Sequence, residues 1–201
     1  MRILGKRSEQ LTLLKALRSR HPKFFVALTE DARVAAAKRG ERCEFRSGAD
    51  ALLQALRLMR ESNAFGALAL YRLKARSQAL RIPVVPRLAH RLAMSWAQLC
   101  IGDPVIMEPG VYIPLGQVVI DGLVRVRCGV TICPRVTVGL KAGIVKGARI
   151  EEDVTIGTSA KVIGPVTIGA GASIGANAVV IEDVPAGALA VGIPAQVTDG
   201  R

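Results

Sequence analysis

The apolar residues of the C-terminal half recur every six positions. Stepping by six from Val126 gives Ile132, Val138, Ile144, Ile150, Ile156, Val162, Ile168, Ile174 and Val180, all Val or Ile. A second register, four positions beyond each of these, runs Val130, Val136, Ala142, Ala148, Val154, Ala160, Val166, Ala172, Ala178 and Val184, all Val or Ala. An amphipathic helix repeats about every 3.6 residues and a half-buried strand about every two, so neither produces this double register. The period predicts a solenoid whose coil has flat faces of about six residues, with an aliphatic pointing inward from each face and a small residue near each corner. Gly157, Gly169 and Gly175 follow inward aliphatics, and Asn177 and Asp183 fall at expected turns, as tight corners require. Before residue 120 the register weakens, although Val105 and Val111 keep the six-residue step. Residues 140–149 stay in phase, yet their two Lys, two Gly and one Arg make a poor core face and predict a protruding loop.

The N-terminal half reads as helical. Residues 49–60 carry a helix-type apolar stripe, and residues 65–80 carry another through Leu68, Tyr71 and Leu73. Asp50 lies near an expected helix start, and Pro83 and Pro86 break the chain before a last helix around residues 87–99. The patterns divide the chain into an α-helical segment, residues 1–100, and a β-solenoid, residues 101–201, with the boundary near Gly102.

Charge follows the same division. The chain has 201 residues and a formal net charge of +12. Residues 1–100 hold 20 Lys and Arg against 7 Asp and Glu, whereas residues 101–201 hold 8 against 9. The helical arginines alternate with apolar positions and lack interleaved aromatics or a recognition motif, which argues against nucleic acid as a partner. Four Phe, two Tyr and one Trp make a core poor in rings, and only Tyr112 of these lies in the repeat. Residues 162–181 form a 20-residue run without charge, but Pro165, four glycines and the six-residue period exclude a membrane helix. The N-terminus has no signal-peptide-type apolar stretch, so a cytoplasmic location is expected. Cys43, Cys100, Cys128 and Cys133 form no C-x-x-C pair and His21 and His90 stand alone, which argues against a metal site.

The repeat resembles that of the hexapeptide acyltransferases, most closely serine O-acetyltransferase. The resemblance is carried by Val136-Thr137-Val138-Gly139, by Ile156-Gly157-Thr158-Ser159-Ala160-Lys161-Val162-Ile163-Gly164, by Ile174-Gly175-Ala176-Asn177-Ala178-Val179-Val180 and by the closing Val191-Gly192-Ile193-Pro194-Ala195. It spans roughly residues 103–197. It implies a left-handed parallel β-helix of three faces, preceded by the helical segment, assembled as a homotrimer with acetyl-CoA as co-substrate in a groove between neighbouring β-helices. The implied cofactor-binding positions are Gly139, Thr158, Lys161 and Ala176, with Lys141, Lys146 and Arg149 as further candidates for the CoA phosphates. It also implies a small hydroxylated acceptor such as serine, and a cysteine-biosynthesis enzyme as a possible partner.

One motif departs from the family. Acetyl transfer to a hydroxyl needs a proton acceptor, and His serves best because it titrates near neutrality. Relatives carry an Asp-His-type motif where this chain has Pro114-Leu115, so Leu115 marks the base position without being a base. The loop of residues 140–149 also lacks a His. Three explanations stay open. Asp121 or Glu108 could substitute, although an ordinary carboxylate is a weak base for an alcohol. His90 could fold back to the site. The chain could instead be a catalytically impaired homologue that binds acyl-CoA or a partner protein without efficient turnover. Cys128 and Cys133 are possible nucleophiles, but small buried thiols commonly serve only packing.

Overall fold

The computed structural model describes residues 21–198; the beginning of the predicted helical segment and the last three residues of the predicted solenoid lie outside them. Four helices come first: α1 (Phe24–Lys38), α2 (Gly48–Glu61), α3 (Asn63–Ala79) and α4 (Val85–Ala97). Serine caps start two of them, the Ser47 hydroxyl accepting from the Asp50 N–H and the Ser62 hydroxyl from the Phe65 N–H. Helix α4 begins with Pro86 in its first turn and ends where Gln98 enters the left-handed region, at φ 52°. It therefore stops at Ala97, short of the expected residue 99, because Leu99 is recruited as a strand partner of Val118.

Fourteen short strands follow: β1 (Leu99–Ile101), β2 (Ile106–Met107), β3 (Val118–Ile120), β4 (Leu123–Val126), β5 (Thr131–Ile132), β6 (Thr137–Gly139), β7 (Lys146–Ile150), β8 (Thr155–Ile156), β9 (Lys161–Ile163), β10 (Thr167–Ile168), β11 (Ser173–Ile174), β12 (Val179–Val180), β13 (Leu189–Gly192) and β14 (Ala195–Thr198). They form three faces. The first stacks β1, β3, β6, β9 and β12; the second β2, β4, β7 and β10; the third β5, β8, β11, β13 and β14. Every pairing is parallel except β13 with β14, an antiparallel hairpin that closes the last coil. The six-residue series points inward as expected, with Val126, Ile132, Val138, Ile150, Ile156, Val162 and Ile168 fully buried.

Ile144 is the exception, at 39% exposed. Lys161 pairs with Val179, 18 positions on, but Thr137 pairs with Lys161, 24 positions on. One coil thus carries six extra residues, which is why the insertion keeps the sequence phase while leaving the core. The exposed part is shorter than the sequence suggests, because Lys146 to Arg149 return to the second face as part of β7.

Gly157, Gly169 and Gly175 have another cause than the turn geometry expected of them. None has a positive φ. A Cβ on Gly157 would stand 2.7 Å from the Ile174 carbonyl oxygen, and one on Gly169 would overlap the Ala186 nitrogen. The next coil passes too close for a side chain. Left-handed corners fall instead on Gln117, Arg135, Ser159 and Asn177, at φ 58° to 64°.

A parallel stack has a raw first edge, and the helices cover it. The Tyr71 hydroxyl donates to the Val105 carbonyl at 2.9 Å, and Lys74 Nζ donates to the Ile101 carbonyl at 2.6 Å while pairing with Asp103 at 2.8 Å. The Arg72 guanidinium holds Asp31 at 2.8 and 3.0 Å and donates to the carbonyls of Met107 and Glu108. Asp31 in turn accepts from the backbone N–H groups of Gly110 and Val111. Burial pushes the Tyr71 hydroxyl up to about 12, so it stays protonated as a donor. One apolar core runs from α3 and α4 into the coils, and a second joins Leu28, Ala32, Leu58 and Phe65 within the helices. No helix among the described residues is long and apolar enough to cross a membrane.

Asp31→Ala strands a buried guanidinium and orphans two N–H groups, so it should cost about 3–5 kcal/mol in urea unfolding. His21 is buried beside the same cap, and burial, then Arg72 and Lys74, hold its pKa below the usual value. The unfolded chain therefore takes up the His21 proton first as pH falls through about 6.5. Stability should drop below that pH, and His21→Gln should flatten the pH dependence of the urea midpoint.

Candidate active site

A cavity of about 710 Å³ lies where the helices meet the first two coils. The α2–α3 junction supplies Arg39-facing Glu61, Ser62 and Asn63, the end of α4 supplies Ser95, Trp96 and Gln98, and the coils supply Tyr112, Pro114, Leu115, Gln117, Pro134 and Arg135. Leu115 is 63% exposed there. The expected base position therefore lines this cavity, and it presents an isobutyl group. Gly116 makes the junction possible: its neighbour Gln117 donates from its backbone N–H to the Ala97 carbonyl at 2.7 Å, closing helix end onto coil.

Gln117 and Arg135 of the cavity lining are also the first two members of a column of stacked left-handed corners between the third and first faces. The Ser159 N–H donates to the Pro134 carbonyl and the Asn177 N–H to the Thr158 carbonyl, each at 2.9 Å. Thr158 and Ala176 occupy this column one coil apart. Lys161 begins β9 beside it, its Nζ donating to the carbonyls of Arg135 and Ser159 at 3.2 and 3.0 Å. Gly139 lies at the far end of the first face, where its carbonyl accepts from the Gly164 N–H. The four cofactor positions read from the sequence thus all border the first face.

Other candidates are elsewhere. Asp121 sits at the opposite end of β3 from Leu115, against Gly102, and does not line the cavity. Glu108 is engaged by Arg127 at 3.3 Å. His90 does not line the cavity either; burial and then the Lys74 ammonium lower its pKa, against the opposing pull of Asp103. Lys146 and Arg149 belong to the second face, where they line a separate cleft of about 160 Å³ with Arg125, apart from Lys161 of the same chain. Cys128 is exposed, and desolvation followed by Glu152, Glu108 and Asp153 pushes its thiol up, which disfavours the nucleophilic thiolate.

Of the cavity's charges, Glu61 is held below the usual carboxylate range by the Arg57 hydrogen bond and also pairs with Arg39 at 3.3 Å. That makes it a poor proton acceptor near neutrality. Arg135 has no ion-pair partner among the described residues. Sequence reasoning did not anticipate Trp96, whose position in a cavity depends on how α4 meets the coil. Its ring atoms Cζ3 and Cε3 lie 3.5 and 3.6 Å from where a Cβ on Gly66 would stand, so the ring rests on the bare backbone of α3.

A Cβ on Gly116 would come within van der Waals overlap of the Ala97 carbonyl oxygen. Gly116→Ala should therefore push α4 off the coil, costing roughly 1–3 kcal/mol in thermal unfolding, and should redshift the emission of Trp96 as the cavity opens.

The family model for bacterial transferase hexapeptide, six repeats, matches residues 147–182. No curated protein matches the chain in sequence. Solved structures do match in shape. Soybean serine acetyltransferase complexed with serine superposes with a TM-score of 0.71 at 26% identity, over 90% of this chain and 71% of that one. A serine acetyltransferase in complex with CoA gives 0.74 at 20% identity, over 93% and 74%. A third, in complex with cysteine, gives 0.65 at 24% identity, over 68% of this chain and 58% of that one, so the chain spans little more than half of its length. The three-faced coil, capped by helices, is the left-handed parallel β-helix of these proteins. The chain carries the hexapeptide repeat of the bacterial transferases on the fold of the serine acetyltransferases.

Proposed function

We propose that the chain is an acyl-CoA-dependent O-acetyltransferase acting on serine or a similarly small hydroxylated acceptor. The observation that carries this reading is that the cavity at Leu115 is lined by Gln117 and Arg135, the first two corners of the column that holds Thr158 and Ala176 on later coils. Acetyl-CoA lies along the column, where the small side chains at Thr158 and Ala176 let the pantetheine arm reach the backbone, with Gly139 across the first face from them. The acceptor occupies the cavity. Its hydroxyl oxygen attacks the thioester carbonyl, a C–O bond forms, the C–S bond breaks, and the hydroxyl proton ends on the CoA thiol. Lys161, tied to two carbonyls, holds the column in shape and leaves phosphate binding to exposed cations such as Lys141.

No histidine lines the cavity, so acceleration rests on holding donor and acceptor together rather than on a tuned base. Assembly as a homotrimer, with the groove completed by a neighbouring prism, belongs to the same proposal, as do a cytoplasmic location and a cysteine-biosynthesis enzyme as partner. The structures of relatives bound to CoA, serine and cysteine support the choice of ligands to test.

Thiol release from acetyl-CoA should be slow but measurable with a hydroxylated acceptor, L-serine being the first to try. Leu115→His should raise kcat roughly 10²–10⁴-fold by restoring a base. Acetyl-CoA binding by calorimetry with no turnover on any hydroxylated acceptor, in either form, would replace the transferase by a protein that binds without reacting.

A further inference from the structure

Helix α4 turns its larger apolar side chains outward. Three stripes run along it, each in steps of four residues. Ala89, Ala93 and Ala97 face inward and are buried. Val84, Leu88, Leu92 and Trp96 face solvent, and Val84, Leu88 and Trp96 are each more than half exposed. Arg87 and Arg91 form the third stripe, on the other side of the leucines from the alanines, and both are exposed. An amphipathic helix ordinarily buries its largest apolar residues, since their burial contributes most. This one buries its smallest.

The turn that leads into α4 has the same character. All five residues from Leu80 to Val84 are exposed, and Leu80, Ile82 and Val84 are large and apolar. Single exposed apolar residues are ordinary on any protein, but a run continuous with a helix stripe marks a contact surface.

Charge decides what that surface fits. Between Glu61 and Asp103 the chain has no Asp or Glu. Arg76, Arg81, Arg87 and Arg91 lie in this stretch, and none of them forms an ion pair among the described residues. Arg33, Arg39, Arg42 and Arg57, elsewhere on the helical half, each hold a carboxylate. A second copy meeting this face with its own would set arginine against arginine. An anionic lipid surface answers both halves of the pattern, with headgroup phosphates for the guanidinium groups and the acyl boundary for Ile82, Leu88 and Leu92. Trp96 ends the stripe, and an indole suits the same boundary, its ring apolar and its N–H able to reach water. Spanning is out of reach: the 13 residues of α4 extend about 20 Å, against a hydrocarbon core of about 30 Å.

We propose that the α3–α4 turn and the outer face of α4 dock the chain on an anionic phospholipid bilayer, with α4 lying in the plane of the interface. The contact is peripheral. It does not rest on the transferase reading, and neither falls with the other.

The full chain is mixed with vesicles of phosphatidylcholine and phosphatidylglycerol, and in parallel with vesicles of phosphatidylcholine alone, and the bound fraction is read by co-sedimentation. Trp96 is the chain's one tryptophan, so its emission reports this face. Binding to the anionic vesicles only, a blueshift on binding and weakening as salt is raised are the expected results. Arg87→Glu combined with Arg91→Glu should lower vesicle affinity about tenfold or more. Leu88→Ser combined with Leu92→Ser should remove most of the blueshift, whereas Arg60→Glu, at an exposed position of α2, should change neither. Circular dichroism checks that each variant folds, and thiol release from acetyl-CoA, followed in the same samples, bears on the transferase alone. No binding to anionic vesicles, or equal binding by the Arg87→Glu, Arg91→Glu variant, would overturn the inference. Failure to bind vesicles together with a smaller particle in light scattering for the Leu88→Ser, Leu92→Ser variant would overturn it too, and would assign this face to a contact between copies.

Discussion

A stack of parallel coils cannot end on itself. Each strand satisfies its neighbour's backbone, so the first coil has carbonyl and N–H groups with no partner, and burying them unpaired would be costly. Here four side chains from the helices do that work. Asp31, Tyr71, Arg72 and Lys74 reach backbone groups between Ile101 and Val111, and each of the four is buried. Burial opposes the Arg72 charge, but Asp31 outweighs it and keeps the guanidinium protonated. Without this cap the aliphatic column would have an open top. The cap also sets where α4 meets the coil, and that junction is the wall of the cavity.

The cap explains why the helical half is so different in composition. Small residues on α1 and α3, including Ala32, Ala35, Ala67 and Ala69, let three helices and a coil approach closely, while two of the basic side chains are spent in the interior. The remaining positive charge covers exposed helix faces in pairs such as Arg42 with Asp50 and Arg57 with Glu61. Such exposed pairs add little stability and are screened by salt. Each such pair is neutral, so the net charge of +12 resides on cations outside these pairs.

Along the coils, backbone geometry and chemistry separate cleanly. The corner column between the third and first faces repeats one left-handed residue per coil at Gln117, Arg135, Ser159 and Asn177, so its backbone groups are spaced by the stacking itself. Pro114 and Leu115 line the cavity while the inward Val111, Ile113 and Val118 keep the coil packed.

The period in the sequence determined the solenoid and its inward residues, and the extent of the loop, which keeps phase, only in part. Side chains that alternate along a strand must point in or out, so burial of Val126 or Ile156 follows from order along the chain alone. The same logic failed at Ile144, because an insertion of one full face-length leaves the phase intact. It also assigned Gly157 and Gly169 to turns, when their cause is the coil above. The absence of a histidine at residue 115 was equally legible, since it needs only a motif and a register. Trp96, the Asp31–Arg72 cap and the cavity were not, because they join residues 41 or more positions apart or depend on the angle at which a helix meets a coil. Those contacts are made between elements, and no local pattern encodes them; only the folded chain brings Trp96, Gly66 and Leu115 to one place.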